Sequence, residues 1–460
     1  MDQVLSIMGL GKLGAATLAT FASRGWNVIG IDINKKAVDA INEHRSPIDE
    51  PDVDRLLKEN GQSIIATTDV QMGILDSDVT FVIVPTPSLP DGSFSIEYVK
   101  TAVRSIAQVL PYKNTYHVIN VTSTVLLGDM EQIKALIEEV SGKKCGIDFG
   151  LVYNPDFIAL GKVVYDLTHP DMILIGQDND RDGQLIEDIH RSLVIWDNPN
   201  IFRMSFYNAE LAKISLNHFL TLKIGYANTI AEICENMPTG DAEKVLNAIG
   251  ADTRIGYKYM KAGLSPSGAC LPRDSRAFVH TASRFGVDAF IAKAVDHASN
   301  EYKKRILNKI IEILSEIGKS SISVLGLSFK EGTPVIEESV SIYVVKELFK
   351  KGYTISVYDP MAMENARKEL GKDIKFSESA IECLKGTSLC FIATAWKEFR
   401  DLQAVDFVEN MESAVVLDVW GVLPYESFPG IRIIRTGKNY AIKDTDTDYI
   451  DLEKLKKLHI

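Results

Sequence analysis

Residues 4–14, VLSIMGLGKLG, decide the fold of the first part of this chain. The segment begins as an apolar run typical of a buried strand and ends in the glycine pattern GxGxxG, and a helical segment, residues 12–24, follows. In such a strand–turn–helix unit, Gly9 permits the tight turn, Gly11 lets a ligand approach the backbone, and Gly14 allows helix and strand to pack closely. The segment therefore predicts the first unit of a parallel α/β sheet.

The same unit predicts a site for NAD. The start of the predicted helix offers unpaired N–H groups and a partial positive charge to the phosphates of a dinucleotide. Asp32 ends the second predicted strand, where a carboxylate accepts the ribose hydroxyls of NAD and repels the 2′-phosphate of NADP. Lys35 and Lys36 follow and leave NADP open as an alternative. The other alternative is a glycine-rich turn that serves close packing alone.

Strand-like apolar runs alternate with helical segments in residues 1–200 and again in residues 319–460, which is the pattern of βαβ units around a parallel sheet. Between them, residues 205–237 and 288–318 have the pattern of long helices. The fold class predicted is α/β, with two Rossmann-like, doubly wound parallel-sheet domains, 1–200 and 319–460, joined by a central helical domain, 201–318, that contains the long helices.

The composition excludes several function classes. Lys and Arg number 50 and Asp and Glu 62 in 460 residues, a net charge of −12, so the chain lacks the basic character that nucleic-acid and anionic membrane surfaces require. No apolar stretch reaches the ~18 residues of a transmembrane helix, and the N-terminus lacks the basic region of a signal peptide. Five cysteines without paired spacing argue against disulfides. We expect a soluble, cytoplasmic protein with no nucleic-acid partner, no membrane partner and no metal site.

One cysteine stands out. Cys270 lies in residues 267–274, Ser-Gly-Ala-Cys-Leu-Pro-Arg-Asp, just before a predicted helix and beside Arg273, a context that favours the thiolate and hence a nucleophile. On spacing alone, a buried structural cysteine is the more common outcome. Lys213 and Asn217 lie four apart on one face of the first long helix, where spacing alone favours a solvated helix edge.

Further motifs follow one another in order along nearly the whole chain. They are Val84-Pro85-Thr86-Pro87, Ser123-Thr124-Val125, Asn154-Pro155-Asp156-Phe157, residues 210–217, Asp252-Thr253-Arg254-Ile255-Gly256, the Cys270 loop, Phe329-Lys330, Tyr358-Asp359-Pro360 and Trp396-Lys397-Glu398-Phe399. Together with the glycine pattern and Asp32, this ordered set resembles the UDP-glucose/GDP-mannose dehydrogenase family of nucleotide-sugar 6-dehydrogenases.

The resemblance implies an NAD-dependent, four-electron oxidation of the primary alcohol of a nucleotide-activated hexose, with a UDP-hexose preferred, to a uronic acid. Cys270 would capture the aldehyde as a thiohemiacetal, and oxidation would give a thioester that water hydrolyses. The resemblance also implies that residues 319–460 bind the nucleotide and that the long helices form a homodimer. Two alternatives are a same-fold enzyme that stops at a two-electron stage and a catalytically impaired nucleotide-sugar-binding protein.

The resemblance also assigns roles by position. Lys213 would stabilise the developing alkoxide, Asn217 would hydrogen-bond the reacting oxygen, and Asp274 would position water or the lysine. Thr124 would hydrogen-bond a catalytic water, and Asp156 would be an acid/base. The expected cofactor-binding residues are Gly9, Gly11, Gly14, Asp32, Lys35, Pro85, Thr86 and Thr124. The expected substrate-binding residues are Phe157, Lys213, Asn217, Gly268, Phe329, Lys330 and Arg254, which would reach across the dimer.

The sequence departs from the family pattern at several positions, of which five bear on the chemistry. Asp156 stands where the family has glutamate, and Leu160 replaces a second glutamate often proposed as the hydrolytic base, which leaves open the group that activates water. Ser267 replaces a glycine and is expected to restrict a backbone position that needs a positive φ. Arg273 replaces a lysine. Glu337 stands at an arginine of the pattern T-x-D-x-R-E-S, which predicts that the sugar, or its orientation, differs from glucose.

Overall fold

The computed structural model describes residues 3–196, 199–424 and 428–439. The chain separates into two compact units. The N-terminal unit comprises the chain up to Leu216 together with His280–Val287, and the C-terminal unit comprises Asn217–Val279 and the chain from Asp288 onward. The predicted central segment, 201–318, is thus divided between the two units, and the three-domain boundaries stay a prediction.

The described part of the N-terminal unit contains an eight-stranded sheet in the order β3-β2-β1-β4-β5-β6-β7-β8. Neighbouring strands are parallel except β6 and β7, which are antiparallel. The strands are β1 Val4–Met8, β2 Asn27–Ile31, β3 Ile64–Thr67, β4 Val79–Val82, β5 His117–Val121, β6 Phe149–Tyr153, β7 Ile173–Gln177 and β8 Ile201–Met204. The helices are α1 Lys12–Ser23, α2 Lys35–Asn42, α3 Val53–Asn60, α4 Val70–Leu75, α5 Glu97–Val109, α6 Asp129–Ser141, α7 Val163–Thr168, α8 Asp180–Leu193 and the first part of α9 Phe206–Asn236.

This sheet is buried on both faces, which explains why its strands are continuous apolar runs rather than alternating ones. In β1, Leu5 and Ile7 pack into one hydrophobic cluster with α1, while Met8 packs into a second cluster together with Ile29 and Ile31 of β2. The strand order reverses between β1 and β4, and the carboxyl ends of the strands at such a reversal are where ligands bind in open α/β sheets.

The C-terminal unit contains the rest of α9 and a second sheet that is parallel throughout its described residues, in the order β11-β10-β9-β12-β13-β14. The strands are β9 Ser321–Leu325, β10 Thr354–Tyr358, β11 Lys375–Phe376, β12 Leu389–Ile392, β13 Val415–Asp418 and β14 Arg432–Arg435. The helices are α10 Ala242–Gly250, α11 Leu271–Arg284, α12 Phe290–Glu316, α13 Val340–Lys350, α14 Met363–Leu370, α15 Ala380–Leu384, α16 Lys397–Arg400 and α17 Ala404–Asn410. The end of α11, from His280 onward, belongs to the N-terminal unit.

The second sheet repeats the order of the first six strands of the first sheet, which confirms the prediction of two Rossmann-like halves linked by long helices. Both halves have an aspartate after their second strand, and Asp32 of the first half is only partly buried. Asp359 is buried, and its carboxylate accepts hydrogen bonds from the backbone N–H groups of Leu327, Ser328, Met361 and Ala362. That carboxylate serves the backbone of its own unit. Among the described residues, no helix is both long and apolar enough to cross a bilayer.

Candidate active site

The glycines of the N-terminal motif form a turn whose geometry fits a dinucleotide. Gly9 has φ +105°, and a Cβ there would clash with the carbonyl of Ile83. A Cβ at Gly14 would clash with the carbonyl of Gly9, so α1 packs directly on the turn. Gly11 has open space where its Cβ would be, immediately before the helix begins. The turn therefore leaves an accessible backbone at a helix N-terminus, as a pyrophosphate requires.

Asp32 follows β2 and is partly buried. Its two carboxylate oxygens accept hydrogen bonds from the backbone N–H groups of Leu10, at 2.6 Å, and Asn34, at 2.7 Å. These bonds fix the carboxylate next to the glycine turn, and its remaining lone pairs suit ribose hydroxyls. Lys35 is exposed and pairs with Asp39 at 2.8 Å, so within the described structure its ammonium group is held by a carboxylate of its own helix.

The ends of β4 and β5 are joined by Ser123, a residue to which the sequence assigns no role. Its hydroxyl accepts a hydrogen bond from the backbone N–H of Val84 at 2.9 Å and lies 2.7 Å from the Val84 carbonyl oxygen. Thr86 is buried, Pro85 is exposed, and Thr124 is partly buried directly after Ser123. The two predicted cofactor segments thus meet at the carboxyl edge of the sheet.

Glu210, the first residue of the motif 210–217, is a second residue to which the sequence assigns no role. It is buried in the first turns of α9, and its carboxylate accepts the backbone N–H groups of Gly128 and Met130, both at 2.8 Å. These groups belong to the start of α6, whose first N–H groups have no partner within the helix. Burial raises the pKa of Glu210 to about 7. Glu210 therefore caps α6, which follows the Ser123-Thr124 segment.

Lys213 and Asn217 are 6% and 9% exposed, so the solvated-edge interpretation is wrong. The ammonium group of Lys213 donates a hydrogen bond to the carbonyl oxygen of Asp156 and lies 4.4 Å from the centre of the Phe157 ring, a cation–π contact. Spacing could not show this burial, because the contact joins residues far apart in the chain. Three predicted site residues of the N-terminal unit are therefore in contact with one another.

The carboxyl group of Asp156 lies in a low-dielectric environment. Burial raises its pKa to about 7, and the positive charge of Lys213 opposes that shift. A carboxyl group with this pKa exchanges protons readily near neutral pH. Asp156 thus has the property that an acid/base residue requires.

The segment that carries Asp156 is held at both ends. The Asn154 side chain contacts Nε2 of His190 at 2.5 Å, and burial lowers the pKa of His190 to about 4, so this ring is neutral and donates. At the other end, the carboxylate of Glu50 accepts the N–H groups of Gly161 at 2.9 Å and Val163 at 3.0 Å. Neither clamp was predicted, since both partners are distant in sequence.

In the C-terminal unit, Asn217 donates from Nδ2 to Oδ2 of Asp274 at 2.6 Å. Asp274 is fully buried, and Nε of Arg273 lies 3.0 Å from its other carboxylate oxygen. Asp274 lies in the first turn of α11, and its N–H donates to the carbonyl of Cys270 at 2.8 Å. Cys270 is exposed, so the expectation of a buried cysteine is wrong. The other cysteines are buried or partly buried: Cys145, Cys234, Cys383 and Cys390.

The loop before Cys270 packs against the loop after β9. Gly268 has φ +85°, and a Cβ there would lie 2.7 Å from the ring of Phe329. The Lys330 ammonium group lies 5.7 Å from the centre of the same ring, so these three predicted substrate residues are neighbours. Ser267 does not adopt a positive φ; the left-handed position is Gly268. The expected restriction by Ser267 is therefore wrong.

Two further predicted positions lie at the surface of the C-terminal unit. The side chain of Arg254 is 86% exposed and pairs with Asp252 at 2.7 Å. Glu337 is exposed, and its carboxylate accepts the N–H of Ile336 at 3.1 Å. Among the described contacts, neither residue reaches the Asp274 pair.

Three family models match successive parts of the chain. All describe the UDP-glucose/GDP-mannose dehydrogenase family: the NAD binding domain matches residues 3–194, the central domain 207–302 and the UDP binding domain 323–425. The first model agrees with the glycine turn and Asp32, which would hold NAD as the cofactor.

Individual relatives agree with these models. UDP-glucose 6-dehydrogenase AglM of Haloferax volcanii is 35% identical over 417 residues, which cover 90% of this chain and 96% of the relative. GDP-mannose 6-dehydrogenase of Pseudomonas aeruginosa is 34% identical over 383 residues, covering 82% and 85%. The solved UDP-glucose dehydrogenase of the archaeon Pyrobaculum islandicum superposes with a TM-score of 0.82 at 31% identity, covering 91% and 94%. The chain therefore belongs to the UDP-glucose/GDP-mannose dehydrogenase family and is an NAD-dependent nucleotide-sugar dehydrogenase.

Proposed function

We propose that this enzyme oxidises the primary alcohol of a nucleotide-activated hexose to the carboxylate, in two oxidation steps joined by a covalent bond to Cys270. The observation that carries the proposal is the exposed Cys270 thiol at the start of α11, directly before a buried Asp274–Asn217 pair. A nucleotide-sugar dehydrogenase that only made the aldehyde would have no need of an exposed thiol there. We infer a UDP-hexose as substrate from the match of the UDP binding domain.

Lys213 assists the oxidation of the alcohol. When the hydroxyl loses its proton and the carbon loses a hydride, negative charge develops on oxygen, and a buried ammonium group stabilises it strongly because the surroundings are weakly polarisable. The contacts of Lys213 with Asp156 and Phe157 hold this cation in place. NAD, when bound at the glycine turn, accepts the hydride in each oxidation. Asn217 keeps one amide hydrogen for a reacting oxygen, because its nitrogen carries two.

Cys270 retains the intermediate between the oxidations. Its thiolate adds to the aldehyde carbon and forms a thiohemiacetal. Loss of a hydride and a proton then gives a thioester, and water replaces sulfur to release the carboxylate and the thiol. Covalent retention prevents the escape of a reactive aldehyde. Asp274, fixed by Asn217 and Arg273, orients the water or the start of α11.

Asp156 supplies the base for hydrolysis. Leu160, at the position of the family's second glutamate, packs against the core of the N-terminal unit and brings no carboxylate. Asp156 lies in the same segment, and burial raises the pKa of its carboxyl group to about 7. It therefore takes a proton from water without a large cost at physiological pH.

A homodimer through α9 is part of the proposal. Phe219, Tyr226 and Ile233 lie seven residues apart on this helix and are 58%, 50% and 54% exposed. Such a regular apolar stripe on a long helix is typical of a helix–helix contact. A second copy of the chain is the most economical partner, because symmetric homodimers are the common case. Arg254 is then the candidate residue that reaches the neighbouring subunit.

The experiment is incubation with NAD and a panel of UDP- and GDP-sugars, followed by mass spectrometry. We expect a product heavier by one oxygen and lighter by two hydrogens, from a UDP-hexose other than UDP-glucose, because Glu337 reverses a charge of the family pattern. If UDP-glucose has the highest specificity constant, the inference from Glu337 fails. Aldehyde alone would favour the two-electron alternative, and binding without any product would favour the binding-protein alternative.

A further inference from the structure

The loop that precedes Cys270 is positioned by the segment between β9 and α13. The N–H of Gly268 donates to the carbonyl oxygen of Glu337 at 3.0 Å, and the Phe329 ring occupies the space beside Gly268. The segment is itself closed by a hydrogen bond from the N–H of Phe329 to the carbonyl of Val335 at 3.0 Å. The conformation of this segment therefore decides where the cysteine loop lies.

Glu338, the next residue, adopts an unusual backbone conformation. Its φ is +55°, a left-handed conformation that side-chain-bearing residues rarely adopt and that persists only where the surroundings hold it. This conformation orients the preceding peptide group, which contains the carbonyl of Glu337. The surrounding contacts must hold the residue there.

The carboxylate of Glu338 supplies those contacts. One oxygen accepts from Arg276 of α11 at 2.9 Å, and the other accepts from Lys303 of α12 at 3.0 Å. Burial alone would raise the pKa of Glu338, but these two cations outweigh it, so that the pKa is lowered and the ionised form is favoured. Two adjacent residues thus hold the chain on both sides of Cys270: the Glu337 carbonyl before it and the Glu338 carboxylate after it.

We propose that Glu338 is a positioning residue for the Cys270 thiol, acting through the Gly268 hydrogen bond and the Arg276 ion pair. The proposal rests on the proposed function in one respect, the role of Cys270 as nucleophile. Since the same segment carries Phe329 and Lys330, Glu338 also joins the candidate nucleotide-sugar loop to the cysteine loop. A displacement of a reacting group by ~1 Å can lower the rate about 100-fold, so contacts that position the Cys270 loop are expected to affect kcat.

The test compares the variants Glu338→Gln and Arg276→Met with a matched control, Glu301→Gln, which removes an exposed ion pair with Lys304 on α12. Hydrogen–deuterium exchange is measured on the full-length enzyme without substrate. We expect the amide of Gly268 to exchange about tenfold faster in both variants, as for the loss of one hydrogen bond, and to be unchanged in the control. We expect kcat to fall about tenfold at unchanged KM for NAD.

A double variant completes the test. If Glu338 acts through Arg276, the Glu338→Gln/Arg276→Met enzyme loses no more kcat than the more affected single variant. Multiplying losses, or an unchanged Gly268 exchange rate in Glu338→Gln, would overturn the proposal even if the enzyme were less stable. Because exchange needs no turnover, failure of the wild-type enzyme to oxidise any nucleotide sugar would count against the proposed function and not against this one.

Discussion

At the scale of single residues, the same side-chain types have different fates because their surroundings differ. Cys145 and Cys270 are both thiols, but burial raises the pKa of Cys145 to about 12, whereas Cys270 is exposed at the start of α11. Asp32 and Asp156 are both carboxylates that follow strands, yet Asp32 accepts two backbone N–H groups, whereas burial raises the pKa of Asp156 to about 7. Chemistry is therefore expected at Cys270 and Asp156.

Alkylation with iodoacetamide at pH 7 tests the difference between the thiols. Cys270 should be modified first in the native protein, because the thiolate is the reacting species and Cys145 forms little of it. Peptide mass spectrometry identifies the modified site. Cys145→Ser is the matched control, and it should leave the rate of Cys270 alkylation unchanged. Preferential modification of Cys145 would contradict the assignment.

Asp156 predicts a pH dependence of hydrolysis. With a pKa near 7, the carboxyl is protonated below that pH and ionised above it, so acid formation should rise with pH through about 7. Asp156→Asn should lower kcat by about 100-fold or more and remove this inflection. The measurement is kcat against pH for wild type and variant, and an inflection that persists in Asp156→Asn would exclude Asp156 as the base.

At the scale of elements, what could be predicted depends on how local the determining contact is. The turn of Gly9 and Gly14, with α1 behind it, follows from adjacent residues and was predicted from the sequence. The caps supplied by Glu210 to α6 and by Glu50 to α7 join residues 80 and 113 positions apart. A local sequence pattern shows only acidic residues that are close to a helix start along the chain, where they interact favourably with the helix dipole. It cannot show a cap that comes from a distant part of the sequence.

The cap on α6 predicts a loss of stability. Glu210→Ala leaves the buried or partly buried N–H groups of Gly128 and Met130 without their acceptor, at ~1–3 kcal/mol for each group, so the free energy of unfolding should fall by about 2–6 kcal/mol. Denaturant unfolding followed by circular dichroism measures the change. Glu139→Ala, an exposed change on the same helix, should alter it by less than about 0.5 kcal/mol. Equal losses in the two variants would contradict the capping role.

At the scale of the whole molecule, an acidic protein has local cationic groups for an anionic substrate. The net charge is −12, yet Lys213 is buried in the N-terminal unit, and Arg273 and Lys330 lie beside candidate site residues in the C-terminal unit. The repeated alternation of strand-like and helical segments was enough to predict the two sheets. The burial of Lys213 could not be predicted in this way, because it depends on how α9 packs against the Asp156 segment.

The most direct test of the central claim is the number of NADH molecules formed per sugar consumed. A four-electron oxidation through Cys270 predicts two NADH for each uronate, and Cys270→Ser should form no uronate while Cys145→Ser keeps the ratio of two. A ratio of one in the wild-type enzyme, or uronate formation by Cys270→Ser at the wild-type rate, would contradict the account.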